Sequence, residues 1–259
     1  MRPPNVLILS GHDPSGGAGL QADIEAVAAN GGHAASVVTA LTRQDTRNVY
    51  AVSPVDDTFF AECIDTVIAD MPIAAIKTGV LASPTQVETV ARLAAAHPEL
   101  PLVVDPVLTA AGGGELAADP VGRAAREYLF PRATLITPNA GEARRLCDGE
   151  TDIDRCGAAL ARHGCHVLIT GGDEEVQDVI NHLYAPEGGS RTDRWPRLAG
   201  RFHGSGCTLA ASIATRLARG DALEQAVARG QDFTWQALET SFLAGQGQAI
   251  PNRWASRGE

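Results

Sequence analysis

Val6 to Asp23 reads VLILSGHDPSGGAGLQAD. The unbroken apolar run at its start is what a strand covered on both faces requires, as in a parallel sheet. A glycine-rich turn follows, and Gly19 to Ala29 carries a helical pattern. Strand, turn and helix in that order form the first unit of an α/β fold. Within the turn, Gly17-Ala18-Gly19-Leu20-Gln21-Ala22 formally matches G-x-G-x-x-G/A. Such a turn either cradles a pyrophosphate or lets some other ligand lie close to the backbone.

The same alternation continues along the chain. Strands are expected at Val6–Ser10, Ala35–Leu41, Ala74–Thr78, Leu102–Val107, Thr134–Thr137 and His166–Thr170, several of them nearly all apolar. Helices are expected at Gly19–Ala29, Asp57–Ala69, Pro84–Ala96, Val121–Leu129, Glu142–Cys147, Ile153–His163, Cys207–Arg219 and Ala222–Leu243. Ser83-Pro84-Thr85-Gln86 offers an N-cap, a proline at the first helical position and a capping-box glutamine, while Gly164 and Gly220 are natural stops. Val179–Tyr184 and Arg191–Arg197 are expected to form a late antiparallel hairpin. The fold class is therefore α/β, a predominantly parallel central sheet with helices on both faces, and no linker divides the expected single domain over 1–259.

Composition narrows the partners. The 259 residues are 44% hydrophobic and carry a formal net charge of -10, which opposes a phosphodiester backbone, so no nucleic-acid partner is expected. No stretch approaches the roughly 20 apolar residues of a membrane span, so none is expected to cross one. Five cysteines, at 63, 147, 156, 165 and 207, show no CxxC or zinc-like spacing and fit a reducing cytoplasm. Lys77 is the sole lysine among 21 basic residues, the bland cause being compositional bias toward arginine.

In an open parallel sheet, ligands sit beyond the carboxyl ends of the strands. His203 to Ser212, HGSGCTLAAS, places Gly204, Ser205 and Gly206 before an apolar helix, where backbone N–H groups and the helix dipole make an anion site suited to a transferring phosphoryl group. An ordinary glycine-rich helix start explains it equally well. Cys207 stands in the first turn, where the dipole tends to lower a thiol pKa, so a nucleophile or base is conceivable, although buried structural cysteines are commoner. His203 four residues earlier also permits a Cys-His hydrolase dyad. Asn139 to Glu142 is either a capping box or a Mg²⁺-nucleotide contact, and Asp105 either a turn residue or a second carboxylate near metal. Gln44 is either an exposed turn residue or an amide that reads the edge of a heteroaromatic ring.

A dinucleotide site would use Asp45 on the ribose. Two features oppose it: HDPS separates the glycines from the strand, and the second anion site at HGSGC is left without a purpose. A phosphoryl-transfer enzyme uses both ends.

Taken together, GHDPSGGAGLQAD, VTALTRQDT, IKTGVL, VVDPV, ATLITPNAGEA, LITGG and HGSGCTLAASIA resemble the ribokinase-like superfamily, and within it the hydroxymethylpyrimidine/phosphomethylpyrimidine kinases of thiamine biosynthesis. The resemblance spans nearly the whole chain. It implies a ribokinase-like fold, ATP and Mg²⁺, and phosphorylation of 4-amino-5-hydroxymethyl-2-methylpyrimidine and then of its monophosphate. By that resemblance Gln44, Gly11, Ala18, Asp23, Val80 and Val107 surround the pyrimidine. Asn139, Glu142, Thr170 and Gly172 belong to the nucleotide, Asp105 and Glu142 to the metal, and Gly204, Ser205, Gly206 and Cys207 to catalysis. A homodimer is implied as well. Val80 replaces a common methionine, Thr170 a common lysine and Asp173 a frequent histidine. A pyridoxal kinase of the same superfamily and a non-catalytic pyrimidine-binding protein are the alternatives.

Overall fold

The computed structural model describes residues 2–107 and 119–254. In chain order the elements are β1 (Asn5–His12), α1 (Gly19–Ala29), β2 (His33–Gln44), β3 (Val49–Pro54), α2 (Asp57–Asp70), β4 (Ile73–Thr78), α3 (Pro84–Ala96), β5 (Leu102–Val104), α4 (Asp119–Ala124), β6 (Leu135–Ile136), α5 (Ala140–Leu146), α6 (Ile153–Ala161), β7 (His166–Ile169), β8 (Asp178–Tyr184), β9 (Ser190–Pro196), α7 (Ser205–Ala218) and α8 (Leu223–Glu239). They build a nine-stranded sheet ordered β3-β2-β1-β4-β5-β6-β7-β8-β9. The six inner strands from β2 to β7 run parallel, and β3, β8 and β9 add antiparallel edges.

Alternate residues of each inner strand enter opposite cores. Val6, Ile8, Ala75, Val103 and Leu135 pack with Leu20 and Val27 of α1, Leu209 and Ile213 of α7, and Val227 of α8. Leu7, Leu9, Ile76, Leu102, Val104 and Ile136 pack with Phe60 of α2, Val90 of α3 and Leu160 of α6 on the other face. This two-sided burial is the reason the strands read as continuous apolar runs. No helix among the described residues is long and apolar enough to cross a membrane.

Several boundaries differ from expectation. β2 continues to Gln44 because β3, which the sequence did not announce, pairs with it from Ala40 to Gln44. β5 stops at Val104, since Pro106 lacks an N–H and the Val107 N–H turns back to the Asp105 carbonyl at 2.9 Å. α4 ends at Ala124 and passes into a π-helical turn, Ala125–Leu129. α8 ends at Glu239 rather than Leu243, because Phe242 exchanges backbone hydrogen bonds with Ile250. The Ser83 cap on α3 is present, but Gln86 accepts from the Ala82 N–H instead of closing a box on Ser83.

Candidate active site

The loop from β1 folds around Asp13, whose carboxylate accepts from the N–H groups of Ser15 and Ala18, both at 2.8 Å. Burial raises its pKa, but hydrogen bonds from His203, Ser15 and Ala18 prevail and hold it at about 2. A permanent carboxylate thus fills the turn that a dinucleotide pyrophosphate would need. Asp45 caps the β2–β3 turn by accepting from the Arg47 and Asn48 N–H groups at 2.8 and 3.0 Å. Gly19 opens α1 at φ 59, and a Cβ there would stand 2.3 Å from the Gly11 carbonyl oxygen. Gly11 abuts Val80, whose Cγ1 would lie 3.2 Å from an added Cβ. Gly11, Ala18 and Val80 are thereby brought together.

Gly204 caps α7 at φ 80, where a Cβ would collide with the Gly17 carbonyl oxygen at 2.1 Å. The anion loop is therefore seated directly on the β1–α1 loop. Gly206 faces Asp105, with an added Cβ 3.7 Å from its Oδ2. The Cys207 sulfur accepts from the Gly19 N–H, so the N-termini of α1 and α7 converge on it. The thiol is nonetheless not activated. Burial pushes it up to about 12; Lys77 acts in the lowering direction, but Asp23 and Asp105 oppose it. Desolvation outweighs the helix dipole, which corrects the expectation of a depressed pKa. The hydrolase dyad fails on geometry too: His203 Nε2 pairs with Asp13 Oδ2 at 2.8 Å, and no hydrogen bond joins it to Cys207 among the described residues.

Behind this junction lies a buried ionic layer. Lys77 Nζ meets both Asp23 oxygens, at 2.7 and 2.8 Å, with both side chains fully buried. Burial works against the ammonium, but the Asp23 carboxylate overrides it and raises the lysine above its usual range. Asp23, expected beside the pyrimidine, is fully buried, and burial raises its carboxyl pKa against the lowering influence of Lys77. Arg253 is the largest fully buried side chain among the described residues; it donates to Thr208 Oγ1 at 2.8 Å, to Glu25 Oε2 at 3.0 Å and to the Gly17 carbonyl. It ties α7, α1 and the loop before α1 together. Neither Arg253 nor the Asp13–His203 pair stood out in the sequence, because their partners lie at opposite ends of the chain.

Gln44 is the last residue of β2, half-buried, and its amide makes no hydrogen bond among the described residues. Val107 lines a narrow cleft with Thr78, Gly79 and Asp105. At the other end of the site, Asn139 and Glu142 form a complete capping box on α5, Oδ1 accepting from the Glu142 N–H at 2.8 Å and Oε2 from the Asn139 N–H at 3.0 Å. Thr170 bridges to Asn139 through its backbone, and exposed Gly172 accepts from Arg197 Nη1 at 3.1 Å. Asp173 accepts from the Ala140 and Gly141 N–H groups at 3.2 and 2.8 Å.

Asp105 fits a hard cation. It is 4% exposed, its Oδ2 has no hydrogen-bond partner among the described residues, and burial, partly offset by Lys77 and reinforced by Asp23, pushes it up to about 6. Glu142 has one oxygen engaged in the capping box. No cluster of three or more His, Cys, Asp or Glu side chains forms a ready-made metal cage among the described residues.

Residues 13–252 match the family model for phosphomethylpyrimidine kinase. A hydroxymethylpyrimidine/phosphomethylpyrimidine kinase of Streptomyces coelicolor is 36% identical, covering 98% of this chain and 96% of that protein. A thiamine biosynthesis bifunctional protein of Geobacter sulfurreducens is also 36% identical over 96% of the chain, which spans 52% of its length. The chain spans about half the length of the bifunctional relatives it matches. Among solved structures, an ADP complex of Bacillus subtilis pyridoxal kinase superposes with a TM-score of 0.90 at 27% identity, covering 99% of both chains.

Proposed function

The chain belongs to the phosphomethylpyrimidine kinase family, and on that premise we propose that it transfers the γ-phosphoryl group of ATP to 4-amino-5-hydroxymethyl-2-methylpyrimidine and then to the resulting monophosphate, in thiamine biosynthesis. The observation that carries this assignment is the seating of Gly204 on Gly17, which joins a small-residue pocket wall to a helix N-terminus in one rigid junction. An acceptor lying against Gly11, Ala18 and Val80, its ring edge on Gln44, has its reactive oxygen directed toward Gly204, Ser205, Gly206 and Cys207. The backbone N–H groups there stabilise charge on the transferring phosphoryl, and positioning provides much of the acceleration.

Mg²⁺ held by Asp105, with Glu142 alongside, supplies charge neutralisation when bound. Asn139, Thr170 and Gly172 serve the nucleotide. Cys207 enters as a neutral thiol. Burial keeps it protonated at neutral pH, so it is not the base; the alcohol proton leaves late, as a loose transition state permits, and passes to an oxygen of the transferred phosphoryl group. A neutral thiol also tolerates an acceptor that already bears a phosphate. A cytoplasmic homodimer completes the proposal, its oligomeric state to be read by sedimentation.

The structural likeness to a pyridoxal kinase supports a second reading, with pyridoxal as the alcohol. Incubation with ATP, Mg²⁺ and each alcohol in parallel, with products resolved by mass, decides between them. Formation of the pyrimidine monophosphate and diphosphate is expected. Exclusive turnover of pyridoxal overturns the first assignment, and pyrimidine binding without ATP turnover favours a non-catalytic role.

A further inference from the structure

Beyond Leu41, β2 leaves the main sheet. Its register with β1 ends at the pair His12–Leu41, and Thr42 to Gln44 have β3 as their only strand partner among the described residues. β3 itself contributes no buried residue. A two-stranded hairpin of this kind is marginal on its own in water. Yet it carries Gln44, beside a register shift between Arg43 and Gln44 of the sort that re-aims a side chain.

The tip of the hairpin is held from the far end of the chain. Thr46 is 9% exposed between two exposed neighbours, Asp45 and Arg47. Its Oγ1 accepts from the Gly247 N–H at 3.0 Å and its carbonyl from the Gln248 N–H at 2.8 Å, while Arg47 donates to the side-chain oxygen of Gln246. A Cβ on Gly245 would lie 2.7 Å from Thr46 Oγ1, and one on Gly247 would collide with the Thr46 carbonyl. Neither glycine has a positive φ, so it is the close approach to Thr46, and not the backbone conformation, that requires glycine there.

The same strap reaches the anion loop. Ala249 donates to the Arg201 carbonyl and accepts from the His203 N–H, both at 2.9 Å. His203 directly precedes Gly204. Gly245 to Ala249 thereby joins the turn after Gln44 to the loop that opens α7, through backbone hydrogen bonds at both ends.

Resting on the acceptor assignment above, we propose that Thr46 is a positioning residue for the pyrimidine: it fastens the Gln44 hairpin to the Gly245–Ala249 strap and so fixes the ring-reading amide relative to the phosphoryl-transfer loop. Thr46 acts through Gln44 and not by touching substrate.

The test is a double-mutant cycle of wild type, Thr46→Val, Gln44→Ala and the double variant, with Gly247→Ala as an independent way to lift the strap off the turn. Valine keeps the branched shape of threonine and removes the acceptor for the Gly247 N–H. Thermal unfolding establishes folding, and kcat, KM for the hydroxymethylpyrimidine and KM for ATP are measured with Mg²⁺. Thr46→Val is expected to raise the pyrimidine KM about fivefold and Gly247→Ala about tenfold, with the ATP KM within about twofold of wild type. In the Gln44→Ala background, Thr46→Val is expected to add less than about twofold, because the amide that it positions is gone. A merely structural role raises both KM values together, or multiplies with Gln44→Ala, and either result overturns the proposal. A pyrimidine KM unchanged in both Thr46→Val and Gly247→Ala, or unchanged in Gln44→Ala, overturns it as well. If neither strap variant folds, the strap is a structural support and the proposal is overturned. Wild-type protein that does not phosphorylate the pyrimidine overturns the acceptor assignment together with this role, whereas wild-type turnover with an uncoupled cycle removes the role of Thr46 alone.

Discussion

At the β1–α7 end of the site, His203, Lys77 and Arg253 each meet a buried or nearly buried carboxylate across long sequence separations. At the β6–β7 end, Glu142 accepts from the N–H of the N-cap residue Asn139 and Asp173 from backbone N–H groups of α5, and Arg144 meets Glu174 at 2.6 Å with the two side chains 30% and 36% exposed. The first end is fixed by buried ion pairs and the second by helix-capping carboxylates and a partly exposed ion pair. The difference teaches where change is tolerated. Substituting either member of a buried pair strands a charge, whereas a surface pair or a cap yields cheaply. Of the three departures from the family pattern, Thr170 and Asp173 lie at the second end, and Val80, an apolar exchange that touches no charge, lies against Gly11 at the first.

The contrast is sharpest in stability. Arg253→Ala leaves Glu25, Thr208 and the Gly17 carbonyl without their buried partner, and about 3–5 kcal/mol of unfolding free energy is expected to be lost. Glu174→Gln, at the other end, is expected to cost less than about 1 kcal/mol. Urea unfolding of both variants measures the difference, and equal losses would break the comparison. Cys207→Asp probes the same rigid end by activity. Two unit charges 4 Å apart at an effective dielectric near 20 interact by about 4 kcal/mol, so this variant should impair the monophosphate acceptor by up to about a thousandfold more than the alcohol. Equal losses for the two acceptors would remove the argument for a neutral thiol.

Acid titration gives a smaller effect. Asp13 is held at about 2, below the usual 3.8, so its contribution is full above pH 4 and is lost as pH falls toward 2. The shift corresponds to about 2 kcal/mol. Unfolding free energy measured at pH 5, 4 and 3 should therefore decline less steeply in Asp13→Asn than in wild type. An unchanged slope would show that His203 and Ser15 do not hold the carboxylate ionised.

What was legible in the sequence follows the same division. VLILS announced a strand buried on both faces, Asn139-Ala140-Gly141-Glu142 announced its own cap, and Val179–Tyr184 with Arg191–Arg197 announced the hairpin, because each signal is local. β3 escaped notice since VYAVSP buries no core residue; Tyr50 is 50% exposed and the strand is held by hydrogen bonds to β2. The thiol of Cys207 was misjudged because a helix dipole is visible in sequence and desolvation is not. Arg253 beside Gly17 and His203 beside Asp13 are products of the fold alone.

The smallest effect tests the tolerant end directly. Thr170 continues β7 and shares a backbone bridge with Asn139, so its side chain can change without disturbing a buried charge. By the resemblance drawn from the sequence, many members carry lysine at this position, and a positive charge there would lie near the triphosphate. Thr170→Lys is expected to lower KM for ATP about two- to fivefold, the yield of a partly solvated charge contact of about 0.5–1 kcal/mol, while KM for the pyrimidine stays within twofold. Steady-state kinetics at two ionic strengths measures it, and the gain should shrink at the higher salt. A change in pyrimidine KM as large as that in ATP KM would mean that the two ends of the site are coupled through the sheet, and the contrast between a rigid end and a tolerant one would not survive.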